Sequence, residues 1–238
     1  MISVAILGAS GRMGSLTKDL VDSDPNLKLH AALGSKSDLG QMLGADVVVD
    51  FTLPDVSLEM VKFAVSNNLK IVVGTSGWSA LKLQQIEKLL AEHPEASVVV
   101  VPNFSIGSML LQRFAAEAAK HFGSVEIIEA HHAGKVDSPS GTAIATAERI
   151  AAARPESHLV PGVGQPARGE IHQGVPIHSL RQPGVSAKQD VIFGGEAEQL
   201  ILSHDVSSHR AYSLGILRSI EYAAKSKGLT VGLESVLR

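Results

Sequence analysis

The sequence predicts an α/β chain: a doubly wound parallel-sheet domain joined to a smaller α+β segment with a mixed sheet. Three observations carry this. Over residues 1–104, short β-branched apolar runs alternate with helix-like amphipathic segments. After residue 104 the alternation stops, and several strand-like runs follow one another through turns. The last residues then return to a helix and an apolar run like those of the first part.

The strand-like runs of the first part are ISVAIL (2–7), LKLHAAL (27–33), DVVVDFT (46–52), LKIVVGT (69–75) and ASVVVVPNF (96–104). They are continuously apolar, as strands covered on both faces should be. Between them, Met13, Leu16 and Leu20 recur at helical spacing after Gly11. Leu58, Val61, Phe63 and Val65 lie in a segment opened by Pro54, and Leu81, Ile86, Leu89 and Leu90 in the one before HPEAS. Short connections between such elements imply right-handed crossovers and a parallel sheet.

Beyond residue 104, SIGSMLLQRFAAEAAKHF (105–122) reads as a helix and SVEIIEAHH (124–132) as a strand. SGTAIATAERIAAA (140–153) reads as a second helix with Ser138 or Ser140 as its N-cap. The Gly- and Pro-rich stretch 154–176 reads as a loop. VPIHSLR (175–181), DVIFGG (190–195) and EQLILSHDV (198–206) read as strands, joined by turns such as QPGVSAKQ (182–189). RAYSLGILRSIEYAAKS (210–226) is helical, and GLTVGLESVL (228–237) offers a last apolar strand. The expected domains are therefore 1–104 with 212–238, and 105–211.

Composition narrows the function. The chain has 238 residues, 45% of them hydrophobic and 19% charged, and a net charge of −3 without a basic cluster. Nucleic acid and anionic membrane surfaces are poor partners for such a chain. With no cysteine, disulfides, thiolate metal sites and cysteine nucleophiles are all excluded. The apolar start MISVAIL ends at Gly8 without a basic flank, so it reads as a strand rather than an export signal, and a cytoplasmic setting is expected.

GASGRMG places Gly8, Gly11 and Gly14 between the first strand and the first helix. Glycines there let a backbone turn approach a pyrophosphate, and the helix start offers its amides. The spacing is GxxGxxG rather than the usual GxGxxG, and a tight strand-to-helix turn is the structural alternative. Its position predicts a nucleotide. The second strand ends in Gly34, Ser35 and Lys36, with no carboxylate at the first position and Asp38 further along. A hydroxyl and an ammonium there suit a 2′-phosphate, the structural alternative being an exposed loop with Lys36 a solvated charge; NADPH is expected to serve at least as well as NADH. Gly74, Thr75 and Ser76, the backbone of 101–104, and Thr52 with Pro54 stand at other strand ends and belong to the same rim.

EAHHAGKVDSPSGTA (129–143) holds the second cluster. His131 and His132 point to opposite faces of a strand and seldom share one ion. Glu129 and His131 share a face, and His178 or His204 would have to complete a metal set. Ser140, Gly141 and Thr142 at a helix start suit an anion, Lys135 adds a cation, and a histidine beside it titrates near neutrality. With a hydride donor, these parts suit reduction of a small unsaturated carboxylate.

GxxGRMG, VVDFTLP, VVGTSG, VPNFSIG, EAHHAGKVDSPSGTA and the late HSLR…VIFGGE…SHD resemble, in order along essentially the whole chain, the dihydrodipicolinate reductase family. The resemblance implies a Rossmann-like NAD(P)H-binding N-terminal domain and a mixed-sheet domain that carries substrate and builds a homotetramer. It implies reduction of hydroxytetrahydrodipicolinate, a small dicarboxylate, with loss of water, in lysine and diaminopimelate biosynthesis. Carried over residue by residue, His131 is the proton donor/acceptor and Lys135 the second proton donor. His132, Gly141 and Thr142 bind substrate, with Ser140 beside them. Gly8, Ala9, Ser10, Gly11, Arg12 and Met13 contact the cofactor, as do Gly74, Thr75, Ser76, Val101, Pro102, Asn103 and Phe104; no metal is implied. The family often has an acidic residue where this chain has Gly34, and alanine where it has Ser138. Domain closure on binding, with hinges near 104–107 and 207–212, is a further expectation. Three alternatives remain open: another nicotinamide-dependent imine or aldehyde reductase, a metal-dependent hydrolase using Glu129 and His131, and a silent nucleotide-sensing module.

Overall fold

The structure, a computed structural model, describes residues 1–154 and 164–238. The chain divides into two compact units: Met1–Ile106 with His209–Arg238, and Gly107–Ser208. The second unit is thus an insertion in the first.

In chain order the first unit begins β1 (Ile2–Leu7), α1 (Arg12–Ser23), β2 (Leu27–Leu33), β3 (Val47–Asp50), α2 (Pro54–Ser66), β4 (Lys70–Val73), α3 (Ala80–Glu92) and β5 (Ser97–Val100). α4 (Ile106–Ala118) leads into the second unit, with β6 (Ser124–His131), α5 (Gly141–Ala153), β7 (Glu170–His172), β8 (Val175–Arg181), β9 (Ala187–Gly194) and β10 (Gln199–Val206). The chain returns to the first unit with α6 (Ser213–Ala223), β11 (Gly228–Val231) and α7 (Leu233–Val236).

The first sheet runs β11-β5-β4-β3-β1-β2, and every neighbouring pair is parallel. The strand order reverses at β1, which lies between β2 and β3. In such sheets the ligand crevice opens at the carboxyl ends of the strands beside that reversal. Pro54 starts α2 and Ser79 caps α3, accepting from the Lys82 amide. These two helices share a core with Ala5, Leu7, Val48, Ile71, Val73, Val98 and Val100. The central strands are buried throughout, whereas β2, at the sheet edge, exposes alternate residues such as Lys28 and His30. Its apolar run is therefore covered on one face only, not on both as expected.

The second sheet runs β10-β9-β6-β8-β7. β6 pairs parallel to β8 and antiparallel to β9; β10 and β7 pair antiparallel at the edges. Leu111 and Ala115 of α4 and Ala143, Ala147 and Ile150 of α5 pack on Val125, Ile127, Val191 and Phe193. Both helices thus lie on one face of the sheet. The other face presents Ile128, Leu180, Ile192 and Ile201, with Ile201 54% exposed.

Other expected elements differ as well. β7 lies within the stretch read as a loop, while 155–163 of that stretch lie outside the described residues. β9 starts at Ala187 rather than 190, which shortens the preceding turn. The last apolar run breaks at Gly232, whose φ of 89° ends β11 and lets α7 begin.

Candidate active site

The turn after β1 is shaped by backbone crowding. Gly8 has φ 72°, its amide donates to Leu33 O at 3.0 Å, and a Cβ there would sit 2.6 Å from Phe51 O. Glycine is required by dihedral and by space. Gly11 closes the turn by donating to Gly8 O at 3.0 Å, and it stands at the N-cap of α1 with no side chain capping it. Gly14 is buried against the same turn: a Cβ would collide with Gly8 O and lie 2.7 Å from Ala9 Cα. The result is a bare backbone cradle at a helix start, beside the strand reversal, which fits a pyrophosphate. Ser10, Gly11 and Arg12 are exposed on it, and Gly8, Ala9 and Met13 are half-buried.

Gly34, Ser35 and Lys36 follow β2 and are exposed. Asp38 is engaged elsewhere, accepting from the Gly40 amide at 2.9 Å to cap a short 3-10 turn. At the end of β4, Gly74 lies against the edge-to-face pair of Phe51 and Phe104, whose ring centroids are 5.7 Å apart. Thr75 is buried and donates to Thr52 O at 3.1 Å, so its hydroxyl turns inward and only its backbone faces the rim. Ser76 and Pro102 line a cavity of about 420 Å³ with Thr75, Gly77, Trp78 and Ser79. Val101 and Phe104 are core residues, and Asn103 accepts from the Ser105 amide at 2.9 Å.

Sequence reasoning missed Asp50 at the end of β3. This buried carboxylate accepts from Thr52 N at 2.8 Å, from Thr52 Oγ1 at 2.6 Å and from Ser57 Oγ. It fixes the turn from β3 into α2, and Thr52 O in turn holds Thr75. A lone Asp in an apolar run was its only sequence signal.

In the second unit, β6 ends at His131, and the connection to α5 carries His132 and Lys135. His131 Nδ1 meets Glu129 Oε2 at 2.5 Å. Arg181 grips Glu129 with both ends of its guanidinium, at 3.0 and 2.8 Å. The same Arg181 donates to Asp137 O at 2.6 Å, and the Asp137 carboxylate accepts from Lys135 Nζ at 2.6 and 2.7 Å. Ser140 is the N-cap of α5: its Oγ accepts from the Ala143 amide at 3.2 Å, and its own amide donates to Glu129 Oε1 at 3.3 Å. Ser140 is therefore committed to the fold, while Gly141 is exposed and Thr142 half-exposed at the helix start. His132 is exposed.

Electrostatics match this geometry. Burial disfavours charge on Glu129, but hydrogen bonds from Arg181, Ser179 and His131 outweigh it and hold the carboxyl below its ordinary range. Burial pushes the His131 imidazole down; Glu129 opposes that, and Lys135 and Arg181 add to it. His131 is thus poised to give up its proton readily, beside a carboxylate that stays ionised.

The metal alternative finds no set of three ligands among the described residues. Glu129 is occupied by Arg181, His178 bonds Glu126 at 2.7 Å, and the ring of His204 packs over Gly107. No helix among the described residues is long and apolar enough to cross a membrane.

The comparisons with known proteins agree from end to end. Family models described as "Dihydrodipicolinate reductase, N-terminus" and "Dihydrodipicolinate reductase, C-terminus" match residues 2–104 and 107–237. A 4-hydroxy-tetrahydrodipicolinate reductase of Clavibacter sepedonicus is 45% identical over 237 residues, covering 99% of this chain and 86% of the relative. One of Cutibacterium acnes is 42% identical, covering 100% and 99%. The solved dipicolinate-bound dihydrodipicolinate reductase from Paenisporosarcina sp. TG-14 has a TM-score of 0.87 at 36% identity, covering 98% of both chains. An amine dehydrogenase from Mycobacterium smegmatis, at 11% identity and a TM-score of 0.67 over 98% and 95% of the two chains, shares the fold alone. Matched along both units by one family and by full-length relatives, the chain belongs to the dihydrodipicolinate reductases, oxidoreductases of lysine biosynthesis.

Proposed function

We propose how this reductase divides its task between the two units. The first unit holds the nicotinamide dinucleotide: its pyrophosphate on Gly8–Met13, its adenosine ribose by Ser35 and Lys36, and its nicotinamide end along Gly74–Ser76 and the backbone of 101–104. Support comes from the turn at Gly8 and Gly14, where a Cβ would collide with the backbone of Phe51 and of Gly8, so that glycine alone lets the turn close at the start of α1. The exposed Lys36 and the absence of a carboxylate at Gly34 favour acceptance of the 2′-phosphate. NADPH is expected to show a kcat/KM at least equal to that of NADH; a clear preference for NADH would contradict this. Bound there, the reduced nicotinamide supplies the hydride.

The second unit takes the small ring dicarboxylate. The start of α5 at Gly141 and Thr142, with the positive end of the helix dipole, clamps one carboxylate together with Lys135 and His132. Lys135 exchanges its contact with Asp137 for the incoming carboxylate. His131 then moves a proton to or from the ring atom that gathers electrons, and Lys135 serves as the second donor. The observation that carries this reading is the assembly of imidazole, ammonium and helix start on the single connection from β6 to α5. The dipicolinate named for the solved relative is a dicarboxylate of the same class.

The test is the loss of reduced-nicotinamide absorbance on mixing enzyme, NADPH and freshly generated substrate. Replacing His131 by Ala and Lys135 by Gln together is expected to lower kcat by ~10²-fold or more, the usual contribution of a positioned acid. Full activity in that double variant would remove both residues from the mechanism. The chain is proposed to act in the cytoplasm as a homotetramer, with the face of the second sheet opposite α4 and α5 as the contact between copies.

A further inference from the structure

One buried charge has no part in the steps above. The Glu129 side chain is 0% exposed, and a carboxylate is retained in such a place only when its oxygens are fully engaged. Here they are. Arg181 Nη2 and the Ser140 amide reach Oε1 at 2.8 and 3.3 Å, and Arg181 Nη1 and His131 Nδ1 reach Oε2 at 3.0 and 2.5 Å. The parallel register makes this possible, because His131 of β6 lies opposite Arg181 of β8, and Glu129 opposite Ser179.

We infer that Glu129, locked by Arg181, is a positioning residue that sets the tautomer and ring orientation of His131. Arg181 cannot lose its proton, and its fork takes both carboxylate oxygens. Glu129 beside it remains an anion that only accepts hydrogen bonds. A ring nitrogen facing such an acceptor must carry hydrogen, so Nδ1 of His131 is always N–H. Neutral imidazole has one N–H, which leaves the lone pair on Nε2. Each proton that His131 gains or gives therefore passes through Nε2, the nitrogen away from Glu129. The same carboxylate holds the Ser140 amide, so one side chain fixes both the imidazole and the first turn of α5. Glu129 touches neither substrate nor cofactor in this scheme; it acts through His131. Its importance for turnover rests on the reading of His131 as the proton-transfer group.

The test is imidazole nitrogen NMR on the intact chain, with the His131 signal assigned by its loss in His131→Gln. In the wild-type protein, neutral His131 is expected as the Nδ1–H tautomer; finding Nε2–H overturns the inference without any need of a variant at Glu129. In Glu129→Gln, Arg181 retains the amide oxygen, and the amide NH2 is left facing Nδ1. The ring must then accept there, and the tautomer switches to Nε2–H. With that switch kcat is expected to fall ~10²-fold or more while KM changes far less. A purely structural role would lower stability and leave the tautomer unchanged, and an unchanged tautomer overturns the inference. A switched tautomer with undiminished kcat supports the positioning by Glu129 and instead removes His131 from proton transfer.

Discussion

A methyl group added at Gly141 would meet no atom of the chain within 4 Å. Nothing in the local packing asks for glycine at the first position of α5, and its φ is not among the positive ones. On the proposed reading, the bareness leaves room for a substrate carboxylate at the helix start. Gly141→Ala separates the two demands. Stability is expected to stay level or to rise by up to about 1 kcal/mol, since alanine is the better helix former. KM for the dicarboxylate is expected to rise about tenfold, ~1.4 kcal/mol of lost binding. Thermal unfolding and steady-state kinetics on one preparation measure both; an unchanged KM contradicts substrate contact at this position. Gly14 shows the opposite case, in which the chain's own backbone fills the place of the missing side chain. Sequence alone marks both positions as glycine and cannot tell these reasons apart.

At the scale of elements, β6 concentrates the pH-sensitive groups. His131 lies below its ordinary value, first because of burial. As pH falls below about 6.5, the unfolded chain takes up that proton before the folded one, so stability declines. Glu129 is likewise held low, so its contribution is complete above its unfolded pKa and is lost as pH falls through the folded one. Denaturation midpoints are expected to drop steadily on acidification from about pH 6.5, with His131→Gln removing the first part of that decline. A midpoint that rises on acidification through this window would contradict the assignment. The elements themselves were unequally legible. β3, β4 and β5 read clearly because both faces are covered and three of the four residues in each are Val or Ile. β7 did not, since Glu170–His172 is a three-residue strand that, among the described residues, pairs with β8 alone. The site divides in the same way: His131, Lys135 and Gly141 sit within one short quotation of sequence. Arg181 lies 52 positions from Glu129 and reaches it only through the register of two strands.

For the molecule as a whole, the face of the second sheet opposite α4 and α5 exposes several apolar side chains. Ile201 and Ile192 lie side by side there, near Ile128, while Leu180 is 41% exposed on the same face. Ile201→Lys is expected to leave each chain folded, as exposed substitutions usually cost no more than ~0.5 kcal/mol. It is expected to reduce the mass in solution to that of smaller assemblies, which sedimentation velocity measures. An unaltered tetramer would place the contact elsewhere, and a wild-type monomer would remove the assembly altogether. The insertion of Gly107–Ser208 within the other unit also orders events on the ribosome. Its strands and helices are contiguous and can close as soon as they emerge. The nucleotide unit must wait, because β5 gains its outer neighbour only with Gly228–Val231, and Gly215 of α6 has yet to settle on the Phe104 backbone. Until then a partly built sheet keeps an apolar flank open during synthesis, and that interval is when the nascent polypeptide most needs a chaperone.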